Sequence, residues 1–143
     1  MIDYLTFYMA AFLELARVTR MGDTVVAKTD PPMIGCLAAL VCRFARARMV
    51  HWMQDVFPEV AIAGLSHRPF LWVLTPLIWL RDLSFGKGDS IVVLGEQMRD
   101  YLASRCDSKM SVIGNWVQGD EVRPVEREDN QLAESWGLKD RFV

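Results

Sequence analysis

Cysteine is scarce and poorly spaced for any joint role: Cys36, Cys42 and Cys106 are odd in number and form no C-x-x-C pair. They give no basis for a disulfide framework or a cysteine zinc set, and reduced, cytosolic thiols are the expectation. There are two histidines. His51 and His67 have no second histidine at ligand spacing, so no metal and no cofactor is expected. Basic runs are missing too. With a formal charge of −2 and a pI near 5.7, and no Lys/Arg cluster interleaved with aromatics, nucleic acid is not an expected partner. The longest apolar run, Pro69 to Leu80, is far shorter than the roughly 20 residues that span a bilayer, and Pro76 interrupts it. The first segment carries Asp3 and Glu14 without a basic opening, which argues against a secretory signal. Gly-x-Ser-x-Gly, Walker and Gly-x-Gly-x-x-Gly sequences do not occur, so hydrolase and dinucleotide readings have no residues to rest on.

What is present fits one α/β domain in 143 residues. Leu5, Met9, Phe12, Leu13 and Ala16 recur at helical spacing, and Met21-Gly22-Asp23 supplies a stop. Thr24 to Lys28 reads as a strand. After Thr29-Asp30-Pro31-Pro32, where Asp30 can cap, a helix is predicted from Met33 to about Arg46, rich in small residues that permit close packing. Arg43, Arg46 and Arg48 crowd its far end, where cations complement the helix dipole. The next strand begins at Arg48, runs to Met53 and turns polar at Gln54 and Asp55, completing a β-α-β unit that should cross over right-handed into a parallel sheet. Phe70 to Phe85, with Pro76 at its middle, reads as a kinked helix or two short ones. Strands at Ser90 to Leu94 and Met110 to Ile113 bracket a helix starting at Gly95-Glu96. Residues 118–130 have linker composition, a short helix is predicted around Gln131 to Trp136, and a strand at Arg141 to Val143.

Four stretches, in this order and spacing, carry a resemblance: Asp23-Thr24-Val25-Val26-Ala27-Lys28-Thr29-Asp30-Pro31-Pro32, Trp52-Met53-Gln54-Asp55-Val56-Phe57-Pro58-Glu59, Ile91-Val92-Val93-Leu94-Gly95-Glu96-Gln97-Met98 and Val112-Ile113-Gly114-Asn115-Trp116-Val117. Together they resemble the N-terminal, acceptor-side domain of family-4 GT-B glycosyltransferases, in the bacterial branch that builds surface polysaccharide and O-antigen. The resemblance implies an incomplete Rossmann-like domain, a mostly parallel sheet with helices on both faces, over residues 1–117. Residues 118–143 would be the interdomain linker and the start of a C-terminal donor domain. It further implies an internal slice of a hexosyltransferase-type enzyme, inactive alone, whose nucleotide-sugar binds only through that second domain. The chain departs from the family pattern at Gly114 and Gln118, where Pro and Asp are usual, and at Gln54, where other branches carry histidine. A non-catalytic binding or assembly module, or a truncated product without activity, is the rival expectation.

Ligands of open α/β sheets bind beyond the strands' carboxyl ends, which directs attention to those ends. Asp55, Glu59 and Gln54 are the candidate contacts to a glycan or lipid-linked sugar acceptor, with a turn-forming role for the aspartate as the plain alternative. No catalytic residue is assigned. Thr29 and Asp30 stand at another strand's end, suited either to an anion or to a cap. Asn115 faces a cleft or makes a turn. Trp72 and Trp79, with Arg43, Arg46 and Arg48, are candidates for contact with the membrane surface or for plain packing and solvated helix-end roles. The expected location is cytoplasmic, with peripheral contact at the inner face of the plasma membrane.

Overall fold

The computed structural model describes residues 2–64, 71–86, 89–117, 119, 125–126 and 129–138. Helix α1 (Ile2–Val18) leads into β1 (Thr24–Lys28), α2 (Ile34–Ala45), β2 (Arg48–Met53), α3 (Glu59–Gly64), α4 (Leu71–Ser84), β3 (Ser90–Val93), α5 (Glu96–Ala103), β4 (Lys109–Val112) and α6 (Gln131–Ser135). The expected strand at 141–143, the break containing His67, and Gln118 lie outside the described residues.

The strands form one four-stranded sheet in the order β1-β2-β3-β4, every pair parallel, with Val25 opposite Met49, His51 opposite Ile91 and Ile91 opposite Met110. The α/β class and the parallel sheet agree with the sequence reading. Each crossover joins neighbours in the same sense, and right-handed connections then put all the crossover helices on one side. Burial records this directly. Met49, His51, Met53, Ile91 and Val93 are at most 4% exposed, whereas Val26, on the other face, is 55% exposed. Val50, Trp52 and Val92 on that second face are only partly covered. Helices α2 and α5 are the ones that pack on strands, while α1 and α4 pack against α2. A second helical layer is not among the described residues.

The covered face holds two clusters. Ala38, Cys42 and Met49 pack with Leu15, Val25, Ala27, Ala39 and Ala47, where the small side chains of α2 let it lie close to β1 and β2. Gly35 shows how close, since a Cβ there would sit 3.1 Å from His51 Nδ1. Met53, Phe85, Ile91, Val93 and Leu102 form the second cluster, joined by Val56, Met98, Cys106 and Met110. Each such side chain contributes roughly 1.5–3 kcal/mol on burial.

One local expectation is corrected, and one choice left open is decided. Asp30 does not cap α2: the helix starts at Ile34, its preceding residue Met33 is left-handed (φ 65°), and no side chain caps it. Asp30 precedes Pro31, a position disfavoured for helical geometry, so the chain turns through Pro31-Pro32-Met33 before the helix begins. Tyr8 on α1 donates a hydrogen bond to the Pro32 carbonyl and holds that turn. Of the alternatives for the segment around Pro76, a single helix holds rather than two short ones, since α4 is continuous through the proline. The proline lies in the second turn, where its missing N–H forgoes one bond, to the carbonyl of Trp72.

Candidate functional site

At the carboxyl end of β1, Thr29 turns its hydroxyl onto the exit of β2. Thr29 Oγ1 accepts hydrogen bonds from Gln54 N at 2.9 Å and Asp55 N at 3.2 Å. One side chain thereby fixes the turn that presents Gln54 and Asp55, and three of the predicted residues share one rim. Thr29 acts here as an acceptor for the protein's own backbone. Asp55 is exposed, and its carboxylate has no ion pair or hydrogen bond among the described residues. Gln54 Nε2 is shielded from solvent without an acceptor. Asp30 is exposed nearby in sequence, and Asn115 is exposed in the loop after β4.

Glu59 is placed differently. It opens α3 and turns toward α4 and α5, where Arg81 Nη1 donates to its Oε2 at 2.6 Å and the Tyr101 hydroxyl donates to its Oε1 at 2.7 Å. Arg81 is 4% exposed. It also donates to the Phe57 carbonyl at 3.1 Å and to Asp82 Oδ1 at 2.6 Å, and Arg105 reaches Asp82 Oδ2 at 3.3 Å. Burial pushes the Glu59 carboxyl up, but the hydrogen bonds from Arg81 and Tyr101 outweigh it, and the net shift is downward. Burial likewise raises the Tyr101 hydroxyl, and its bond to Glu59 raises it further. Glu59 therefore stands in a charged network tying α3, α4 and α5 together, with both oxygens already supplied with donors. Sequence reasoning did not single out Arg81. Its signal was available: Arg81-Asp82 is the lone charged pair in an otherwise uncharged helix, and a buried arginine demands carboxylates.

His51 lies on the covered face, edge-on to Phe85 at 4.9 Å, with Nε2 3.8 Å from Asp89 Oδ2. Burial lowers its pKa against the opposing pull of Asp89 and a hydrogen bond with the Ser84 backbone. No group of three or more metal-ligating side chains occurs among the described residues.

The candidates for a membrane surface separate. Arg43 and Arg46 line a groove of about 810 Å³ between the C-terminal halves of α2 and α4, together with Leu40, Leu80, Leu83 and Asp89. Trp79 is exposed on α4, and Trp72 is exposed seven residues earlier, about 10 Å along the helix. Arg48 starts β2 in the alternation that faces away from the helices. No helix among the described residues is long and apolar enough to cross a membrane.

On the open face, an arrangement not expected from sequence stands beside the rim. Trp52 and Trp116 stack with centroids 6.2 Å apart and planes 17° from parallel, and Lys28 Nζ lies 5.5 Å from the Trp52 centroid. The available signal was a tryptophan next to each of two rim segments, Trp52-Met53-Gln54-Asp55 and Asn115-Trp116.

These features define an α/β parallel-sheet domain with a polar rim at its carboxyl edge, the place where open sheets of this kind hold ligands. Over 125 residues, 83% of its length, the chain is 30% identical to a Pseudomonas aeruginosa protein described as a probable glycosyltransferase, WbjE. The chain spans 31% of the length of that relative, and the similarity relates it to a glycosyltransferase. No family model matches the chain. No solved structure matches it either.

Proposed function

We propose that this chain is the acceptor-side, N-terminal part of a family-4 GT-B glycosyltransferase of the surface-polysaccharide branch, a hexosyltransferase type acting on a glycan or lipid-linked sugar. The observation that carries the reading is Asp55: its carboxylate is exposed and unpartnered among the described residues, at the end of a central parallel strand, and Thr29 holds the backbone of its turn, in a chain related to a glycosyltransferase. A carboxylate there accepts hydrogen bonds from sugar hydroxyls, and Gln54 adds an amide beside it. Glu59 serves in this reading through Arg81, which also grips the Phe57 carbonyl and so steadies the segment following Asp55. Thr29, Asp30 and Asn115 border the cleft. Donor nucleotide-sugar binds through a second domain, so the chain alone is inactive, because transfer requires donor and acceptor to be held together. The groove with Arg43 and Arg46, and the exposed Trp72 and Trp79, support peripheral contact at the inner face of the plasma membrane.

Calorimetry tests this. The chain is expected to bind polyprenyl-pyrophosphate-linked sugars, to lose that binding in Asp55→Ala, and to show no micromolar affinity for UDP-, GDP- or dTDP-sugars. Micromolar binding of any of these nucleotide-sugars, or acceptor binding unchanged in Asp55→Ala, overturns the assignment.

A further inference from the structure

The open face of the sheet carries an aromatic pair whose exposure the fold does not explain. Trp52 lies near the end of β2 with Lys28, its register partner on β1, over its ring. From the β4 side, the loop after that strand returns across the sheet and stacks Trp116 on Trp52. Trp116 remains 73% exposed. A large indole that buries so little of itself gains little from the fold. It presents a flat apolar face to solvent instead.

The polar atoms around this pair share one character. Trp52 Nε1 and Gln54 Nε2 are shielded from solvent and have no acceptor among the described residues; Trp52 is the next-to-last residue of β2, and Gln54 follows the strand directly, in the turn held by Thr29. Lys28 has no carboxylate partner among the described residues. Unsatisfied groups of this kind cost free energy until something supplies an acceptor. An occupant that suits the patch therefore combines a flat C–H face with several acceptor oxygens and carries no cation. A pyranose ring has that combination.

We infer that Trp52 and Trp116, with Lys28 and Gln54, form a saccharide subsite next to Asp55, so that the acceptor is an oligosaccharide engaging the chain over more than one ring. The inference rests on the acceptor reading above and extends it. Continuity supports it: Gln54 belongs to both places, and Asn115 adjoins Trp116 in the chain. One sugar meets Asp55 at the rim and a neighbouring sugar lies on the exposed face of Trp116. A sugar oxygen at the edge of the pair supplies the acceptor that these two donors lack.

The test is a titration of the folded chain with the mono-, di- and trisaccharides of glucose, N-acetylglucosamine and galacturonic acid, followed by tryptophan fluorescence and by saturation-transfer NMR. Trisaccharides should bind more tightly than the corresponding monosaccharides. Trp116→Ala should weaken trisaccharide binding by about tenfold, near the upper end of what one aromatic contact contributes, and abolish the length dependence. Trp116→Phe should retain most of both. Because the side chain is exposed, circular dichroism should show both variants folded. Equal affinity for one ring and three, or trisaccharide binding unchanged in Trp116→Ala but lost in Asp55→Ala, overturns the subsite and leaves the acceptor reading standing. A wild-type chain that binds none of these saccharides overturns both.

Discussion

The two faces of the sheet are written by the same strands in strict alternation, yet they do different work. On the covered face, Met49, His51, Met53, Ile91 and Val93 are closed off under α2, α5 and Phe85, the residue after α4. On the other, Val26, Val50, Trp52 and Val92 meet solvent or a loop. Nothing in residue type alone separates Val92 from Val93. The handedness of three successive crossovers does, by sending their helices to one side. Stability should therefore be concentrated on the covered face, and substitutions that distinguish the faces are the sharpest way to test the difference.

The largest effect is expected beneath the helices at Arg81. Arg81→Ala removes the cation between Glu59 and Asp82 and strips the Phe57 carbonyl of its donor. Breaking a buried ion pair on one side costs about 3–5 kcal/mol, a large share of a typical stability of roughly 5–15 kcal/mol. A urea midpoint within experimental error of wild type would mean that the network is dispensable. Next comes the direct comparison of faces. Ile91→Ala should cost about 2–5 kcal/mol, whereas Val92→Ala, its chain neighbour on the open face, should stay below about 1 kcal/mol. Equal losses would show that the open face is covered in solution.

The strands were legible because each is a short run with apolar residues at its centre, largely β-branched in Thr24–Lys28 and Ser90–Val93, closed by a polar pair or by a glycine shortly after it. Thr24–Lys28 and Arg48–Met53 come out as read, and the last strand differs by one residue. The α/β class followed from strands alternating with helices. What could not be read is long-range. The one-sided burial depends on crossover sense, and the Trp52–Trp116 stack brings together β2 and the loop after β4, two strands away in the sheet. Glu59 looked like a partner of Asp55 because they are one helical turn apart. Arg81, 22 residues later in the chain, draws it toward α4 instead. The rim was half legible. Polar residues at strand ends marked it, but the hydroxyl of Thr29 reaching Gln54 and Asp55 required the parallel pairing of β1 with β2.

That hydroxyl lies at the boundary between the two faces and predicts a moderate effect. Thr29→Val keeps the shape of the side chain but removes the acceptor for two backbone N–H groups. The expected cost is about 1–2 kcal/mol, since the turn is partly exposed and water replaces some of what is lost. Thr29→Ser should be close to neutral. Hydrogen exchange at the Gln54 and Asp55 amides reports the same bond locally, and should quicken in the valine variant alone.

The smallest and most graded effect is expected from a single proton on the covered face. Burial holds His51 below its ordinary pKa of about 6.5, although Asp89 and the Ser84 backbone offset part of the cost of charging it. As the pH falls through that ordinary value the unfolded chain takes up a proton before the folded one does. Stability then declines with falling pH and levels off once the folded imidazole is also charged. Above the ordinary value both forms are neutral, and the curve is flat. Glu59 is shifted downward too, through Arg81 and Tyr101. Its contribution is complete above the unfolded carboxyl value of about 4.3 and is lost as the pH drops through the lower folded value. The urea midpoint should therefore hold steady above neutrality and then fall in two stages. His51→Leu should remove the first stage and keep the second, because the leucine fills the space beside Phe85 and Gly35 without a titrating nitrogen. A wild-type midpoint that rises as the pH falls from 7 to 5.5 would reverse the sign, and would mean that Asp89, 3.8 Å away, stabilises a charged imidazole more than burial opposes it.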